Sequence, residues 1–178
     1  MKTNKVVRAA IVIAIVMLNV GCDQISKSIV RSHVEAYSSL RFLHDHFMLT
    51  RVENTGAFLS LGDQIPGFLH NVLLSIIPAA FLVLGIWYLI RITTLSNLTL
   101  VGICFMIGGG AGNVFDRIIH GSVTDFLYLD FPPLHTGVFN MADLSITTGV
   151  IIILIDMVRQ RRKTPPNLSE GKESKSQS

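Results

Sequence analysis

The chain has 178 residues, 49% of them hydrophobic and only 15% charged, with a mean hydropathy of +0.51. A soluble domain carries about a quarter charged residues, so this composition, with its apolar residues gathered into blocks, indicates an integral membrane protein. The net charge of +3 implies no nucleic-acid partner, because the basic residues cluster at the two ends, and Cys22 and Cys104 lie in apolar segments that suggest neither a disulfide framework nor a zinc site.

Lys2, Lys5 and Arg8 precede an apolar run from Ala9 to Leu18, followed by Asn19-Val20-Gly21-Cys22. The layout is that of a secretory leader, and the Gly-Cys ending is that of a bacterial lipoprotein signal. Such signals favour an aliphatic residue three before the Cys, where this chain has Asn19. Further spans follow instead of a soluble domain. Residues 6–23 are therefore read as an uncleaved first span, and Asp23 and Lys27, four apart, can pair on one helix face as it emerges.

Residues 28–66 hold no membrane-length apolar run and read as a small β-rich outer module. Phe42 to Glu53 has the β-formers of short strands, and Asn54-Thr55-Gly56 is a turn. His44 and His46 share a face in a strand, but no further ligand lies nearby, so no metal is expected. Residues 67–90 form a second span, with a kink predicted at Pro78 and Trp87, Tyr88 and Arg91 at a membrane interface. A tight connection leads to a third span over residues 98–115, whose Gly108-Gly109-Gly110-Ala111-Gly112 lets another backbone approach closely. Residues 116–138 read as a polar loop and 139–158 as the fourth span. Arg159, Arg161, Arg162 and Lys163 follow, then a polar tail over 164–178 expected to be disordered.

Each span is near the ~20 residues a bilayer requires. The basic clusters before span one, between spans two and three and after span four all fall on one side, which the positive-inside rule makes cytoplasmic. Both termini are then cytoplasmic, and residues 23–66 and 116–138 lie outside. The expected fold class is an all-α membrane protein: four transmembrane helices with a small β-rich extracytoplasmic module between helices 1 and 2. Residues 1–163 would form one membrane domain.

With this topology Asp23, Lys27, Asn54, Asn113, Asp116, Arg117, Asp125, Asn140 and Asp143 converge at the outer face. Asn140 and Asp143, three apart at the mouth of span four, can be a helix cap or part of a functional site. Asp116 and Arg117 can be a surface pair, and Asp156 reads as an inner-end residue paired with Arg159. The cluster has no Ser/His/Asp order, metal-ligand set or phosphate loop. Carboxylates remain: two held close cannot both ionise, and such a pair can run acid–base hydrolysis of an amide. Residue chemistry alone does not choose among Asp23, Asp116, Asp125 and Asp143. A transporter or channel, with the cluster as an ion pathway, would instead need polar residues deep in the spans.

Five blocks carry a resemblance: Asp23-Gln24-Ile25-Ser26-Lys27, Asn54-Thr55-Gly56-Ala57-Phe58, Gly112-Asn113-Val114-Phe115-Asp116-Arg117, Val123-Thr124-Asp125-Phe126 and Phe139-Asn140-Met141-Ala142-Asp143. In this order they are similar to the lipoprotein signal peptidase (signal peptidase II) family. The resemblance implies an aspartic endopeptidase of the bacterial cytoplasmic (inner) membrane. It would cut signal peptides from prolipoproteins just before a diacylglyceryl-modified Cys, with its active site at the outer face. Asp125 and Asp143 would be the catalytic pair. Asn54, Gly56, Asn113, Arg117 and Asn140 would position substrate or brace the pair, with Asp23 and Lys27 supporting the outer end. No cofactor or metal is implied. The partners are prolipoprotein substrates, membrane lipid and globomycin-type inhibitors, and a monomer is expected. One departure is visible: many relatives read Gly-Ala-Ala-Phe-Ser where this chain has Gly56-Ala57-Phe58-Leu59-Ser60, which bears on local packing of the outer module.

Overall fold

The computed structural model describes residues 5–43, 46–56 and 67–163. His44, the Ala57–Ser60 departure and the 164–178 tail lie outside the described residues. Among those described, four helices are long and apolar enough to cross a membrane: Lys5–His33, Gly67–Arg91, Asn97–His120 and Met141–Arg162. Many of their apolar side chains, such as Ile13, Met17, Leu18, Phe81, Val83, Leu84 and Ile151, point outward. So much exposed apolar surface is untenable in water and suits a lipid solvent.

The first helix, α1 (Lys5–His33), continues well past the residue where the sequence suggests the span ends. Asp23 and Lys27 are therefore in the bundle and fully buried. Gly67–Arg91 comprises α2 (Gly67–Asn71), a π-helical turn (Val72–Ile76) and α3 (Ile77–Arg91). In the π turn the Ile77 N–H bonds back to the Val72 carbonyl. Pro78, just beyond, lacks an N–H and its ring crowds the carbonyl four residues back. A wider turn accommodates it, so the irregularity expected at Pro78 takes this form. At the other end of α3, the Arg91 guanidinium lies 5.8 Å from the Trp87 ring centroid.

The next helix, α4 (Asn97–His120), begins at the N-cap Ser96, whose side chain accepts the Thr99 N–H, and ends at Gly121, with φ +74°. The residues from Asp116 to His120, read from sequence as the start of a loop, are its last turn. The missed stop signal was Gly121 following a basic last turn. The final helix, α5 (Met141–Lys163), packs most extensively against α4. Glycines permit this: a Cβ at Gly109 would run into the Ala142 carbonyl oxygen of α5. At Gly112 it would come within 2.5 Å of Asp23 Oδ2.

The extramembrane sheet is antiparallel, with strands β1 (Ser39–Phe42), β2 (Phe47–Asn54), β3 (Val123–Phe131) and β4 (Leu134–His135) in spatial order. It draws on the segments after the first and third spans, so the polar-loop reading of 116–138 is corrected: half of the sheet comes from there. β2 pairs with β3 in a register that sets Glu53 opposite Thr124 and Val52 opposite Asp125. Val30 and Val34 at the end of α1 pack with Phe126 of β3, which seats the sheet on the bundle. A second core, including Val12, Val16, Leu89 and Cys104, lies toward the other end.

Candidate active site

α5 opens with a reciprocal cap. Asn140 Oδ1 accepts the Asp143 N–H at 3.0 Å, and Asp143 Oδ2 accepts the Asn140 N–H at 3.2 Å. This is a capping box made from Asn and Asp. The same Asn140 donates through Nδ2 to Asp125 Oδ1 at 2.6 Å and to Asn113 Oδ1 at 3.1 Å. Cap and site therefore share one side-chain amide.

Each carboxylate is held by two donors. Asp125, on β3, receives Asn140 on one oxygen and Asn54 Nδ2, 3.0 Å away at the end of β2, on the other. Asp143 receives the Asn140 N–H on one oxygen and Asn113 Nδ2, 2.9 Å away on α4, on the other. The Asn113 amide has one consistent orientation. Lys27 can only donate, and its Nζ lies 3.0 Å from Asn113 Oδ1. The amide nitrogen is thereby left facing Asp143.

Behind the pair lies a buried charge cluster. Lys27 Nζ reaches Asp23 Oδ2 at 2.8 Å and Asp116 Oδ2 at 2.9 Å, all three side chains having no exposure. Arg31 Nη2 lies 3.0 Å from Asp116 Oδ1. Two carboxylates are matched by two cations, as burial of charge demands. Asp23 Oδ1 also accepts the Ala142 N–H at 2.9 Å, tying α1 to the first turn of α5. On the far side, Gly56 donates its N–H to Asn54 Oδ1 at 3.1 Å and accepts Arg117 Nη2 at 2.8 Å.

The residues singled out from sequence thus form one continuous chain of contacts: Asp23, Lys27, Asn113, Asp143, Asn140, Asp125, Asn54, Gly56, Arg117. Two readings are corrected. Asp116 is not a surface partner of Arg117 but a fully buried partner of Lys27 and Arg31. Asp156 accepts from Ser96, Thr99 and Gln160, and so braces the start of α4 in place of the expected pairing with Arg159. Sequence reasoning passed over Gln24, Arg31, Glu53 and Thr124. Gln24 Nε2 bridges Asp23 and Asp116 at 3.1 Å each. Had α4 been extended to His120, the face Gly109, Gly112, Asn113, Asp116 would have pointed Asp116 inward.

Burial pushes the Asp125 carboxyl up to about 6, and the neighbouring Asp143 charge adds to the rise, against the Asn54 and Asn140 hydrogen bonds that oppose it. Among the described residues no group of three or more His, Cys, Asp or Glu is arranged to hold a metal ion. A groove of about 470 Å³ opens beside Asp143, lined by Gly137, Val138, Phe139, Leu144 and Thr147 among others. What the arrangement can do is favour a proton on Asp125 beside a second carboxyl, next to an apolar groove.

The family model for signal peptidase (SPase) II matches residues 13–159. The chain belongs to this family. It is a peptidase, and among its described residues four helices are of membrane length. A lipoprotein signal peptidase of Streptococcus pneumoniae is 34% identical over 154 residues, covering 86% of this chain and 95% of the relative. Its counterpart in Pseudoalteromonas atlantica is 34% identical over 139 residues, covering 78% and 84%. A solved bacterial membrane enzyme structure at 2.3 Å resolution superposes with a TM-score of 0.75 at 25% identity, covering 89% of this chain and 93% of that one. Another, at 1.9 Å, gives 0.72 at 27% identity, covering 84% and 94%.

Proposed function

We propose that this signal peptidase II family member removes signal peptides from lipoprotein precursors, cutting before a diacylglyceryl-modified Cys, with Asp125 and Asp143 as its catalytic pair. The observation that carries the pair is Asn140, one amide side chain bonded to both residues. Asp125, with its carboxyl raised to about 6, is assigned the proton. Asp143, at the positive end of the α5 dipole, is assigned the base.

A water between them gives its proton to Asp143 as its oxygen attacks the scissile carbonyl carbon, while Asp125 protonates the carbonyl oxygen. Collapse of the resulting diol returns a proton to Asp125. Asp143 passes its proton to the leaving nitrogen, so one water is consumed and both acids are reset. Arg117 and Gly56 border the site on the loop side, and the apolar groove beside Asp143 suits a lipid-bearing substrate entering from the bilayer. We place the site at the outer face of the cytoplasmic membrane of a bacterium, with both termini inside, residues 1–163 forming the peptidase domain and 164–178 a tail. An ion pathway is disfavoured, because the carboxylate at the other end, Asp156, is occupied by Ser96 and Thr99.

The test is a gel-shift cleavage assay in detergent micelles with a diacylglyceryl-modified prolipoprotein. Asp125→Asn and Asp143→Asn should each bind substrate and lose on the order of 10²- to 10⁴-fold in rate. Normal cutting by either variant would overturn the assignment. An inert wild type would overturn the substrate.

A further inference from the structure

We infer that Thr124, whose hydroxyl is clamped between Arg31 and Glu53 on the face of the sheet opposite the site, is a positioning residue for Asp125. The inference rests on the catalytic reading of Asp125. Successive residues of a strand point to opposite faces, so Thr124 and Asp125 divide β3 between them. β2 is divided the same way: Glu53 lies opposite Thr124 in the register, while the next residue, Asn54, donates to Asp125. One face of this two-strand ribbon therefore carries the site and the other carries a lock.

The lock needs a group that accepts and donates at once. Thr124 Oγ1 accepts Arg31 Nε at 2.8 Å and donates to the Glu53 carboxylate, whose oxygens lie 3.1 and 3.2 Å away. The Thr124 N–H points to Asp116 Oδ2 at 3.4 Å. Glu53 is in turn held by Ser122 Oγ at 2.8 Å and Arg51 Nε at 3.1 Å. Arg31 also contacts His120 Nε2 through Nη1 at 3.0 Å and carries the Asp116 contact. Thr124 has no exposure. It is thus pinned to α1, to α4 and to β2, and Asp125 follows it by one peptide bond. Neither Arg31 nor Glu53 is bonded to Asp125 or Asp143, so the clamp acts on chemistry only by setting where β3 presents the carboxyl.

A hydroxyl can be replaced by a methyl without changing shape. In the cleavage assay on the full-length enzyme, Thr124→Val should lower kcat about tenfold, since small displacements of a reacting group cost up to about a hundredfold. KM should stay within about twofold, because no substrate contact is lost. Thr124→Ser, which keeps the donor–acceptor group, should restore kcat to within about threefold of wild type. Glu53→Gln, at a partly buried position, should lower kcat about threefold and decides the matter if Thr124→Val does not fold. Wild-type kcat in Thr124→Val, or in Glu53→Gln where that variant decides, overturns the inference. So does a Ser variant no better than the Val one, or a loss confined to KM. Asp125→Asn separates the two layers. If it still cuts, the catalytic reading falls and this inference falls with it. If it is dead while Thr124→Val is fully active, this inference falls alone.

Discussion

A carboxyl that keeps its proton to about pH 6 in the fold and loses it near 3.8 when unfolded couples stability to pH. Asp125 is such a group. Its contribution is fully present below the unfolded value, declines as pH rises through about 6, and is absent above that. Asp125→Asn does not titrate there. The thermal midpoint of the variant, measured against wild type in one detergent, should therefore rise between about pH 4 and about pH 7 and level off beyond. A difference that stays constant across that range would show that burial does not hold the proton on Asp125. The same burial that makes the residue a candidate acid makes it a cost to the fold, a trade common at functional sites.

At the scale of elements, the separation of α4 and α5 decides where Asp143 stands. Gly109 sits against the Ala142 carbonyl, one residue before Asp143, and a Cβ there would also come within 2.9 Å of Ile146 Cγ1. Gly109→Ala should destabilise by about 1–3 kcal/mol through overpacking and should slow cleavage. Gly21→Ala, whose added methyl meets nothing within 4 Å, should do neither. Thermal midpoints and cleavage rates on the two variants check this, and equal behaviour would mean the helix spacing is set elsewhere. The glycine run was legible in the sequence as a close-approach surface, because small residues at helical spacing have few other uses in a span. Its partners were not legible, since which helix comes close is decided by tertiary packing. β3 was missed for a different reason: its Asp125 and Asp130 made the segment look polar, although Phe126, Leu127, Tyr128 and Leu129 are strand formers lying between them.

For the whole molecule, the four spans were readable because bilayer thickness imposes a length and an apolar composition that few soluble segments meet. The buried Asp23–Lys27–Asp116–Arg31 cluster was only half readable. The i, i+4 pair lies within one helix, but the Asp116 and Arg31 contacts join α1 to α4 across a helix interface. The proposed orientation makes its own prediction. With Cys22 and Cys104 replaced, a cysteine at Ala36 should react with a membrane-impermeant maleimide added outside intact spheroplasts. One at Arg161 should react only after lysis. The reverse pattern would invert the topology and put the aspartates on the wrong side for a secreted precursor.

Because Asn140 is at once the cap of α5 and the amide shared by both aspartates, winding the last span and joining the proposed catalytic pair are a single event. While the ribosome is still feeding the last span into the membrane, Asp143 has no wound helix to present it, and Asp125 lacks the amide that joins them. On the proposed catalytic reading, a half-inserted chain should be silent, and hydrolysis should become available only when the final helix has taken its first turn.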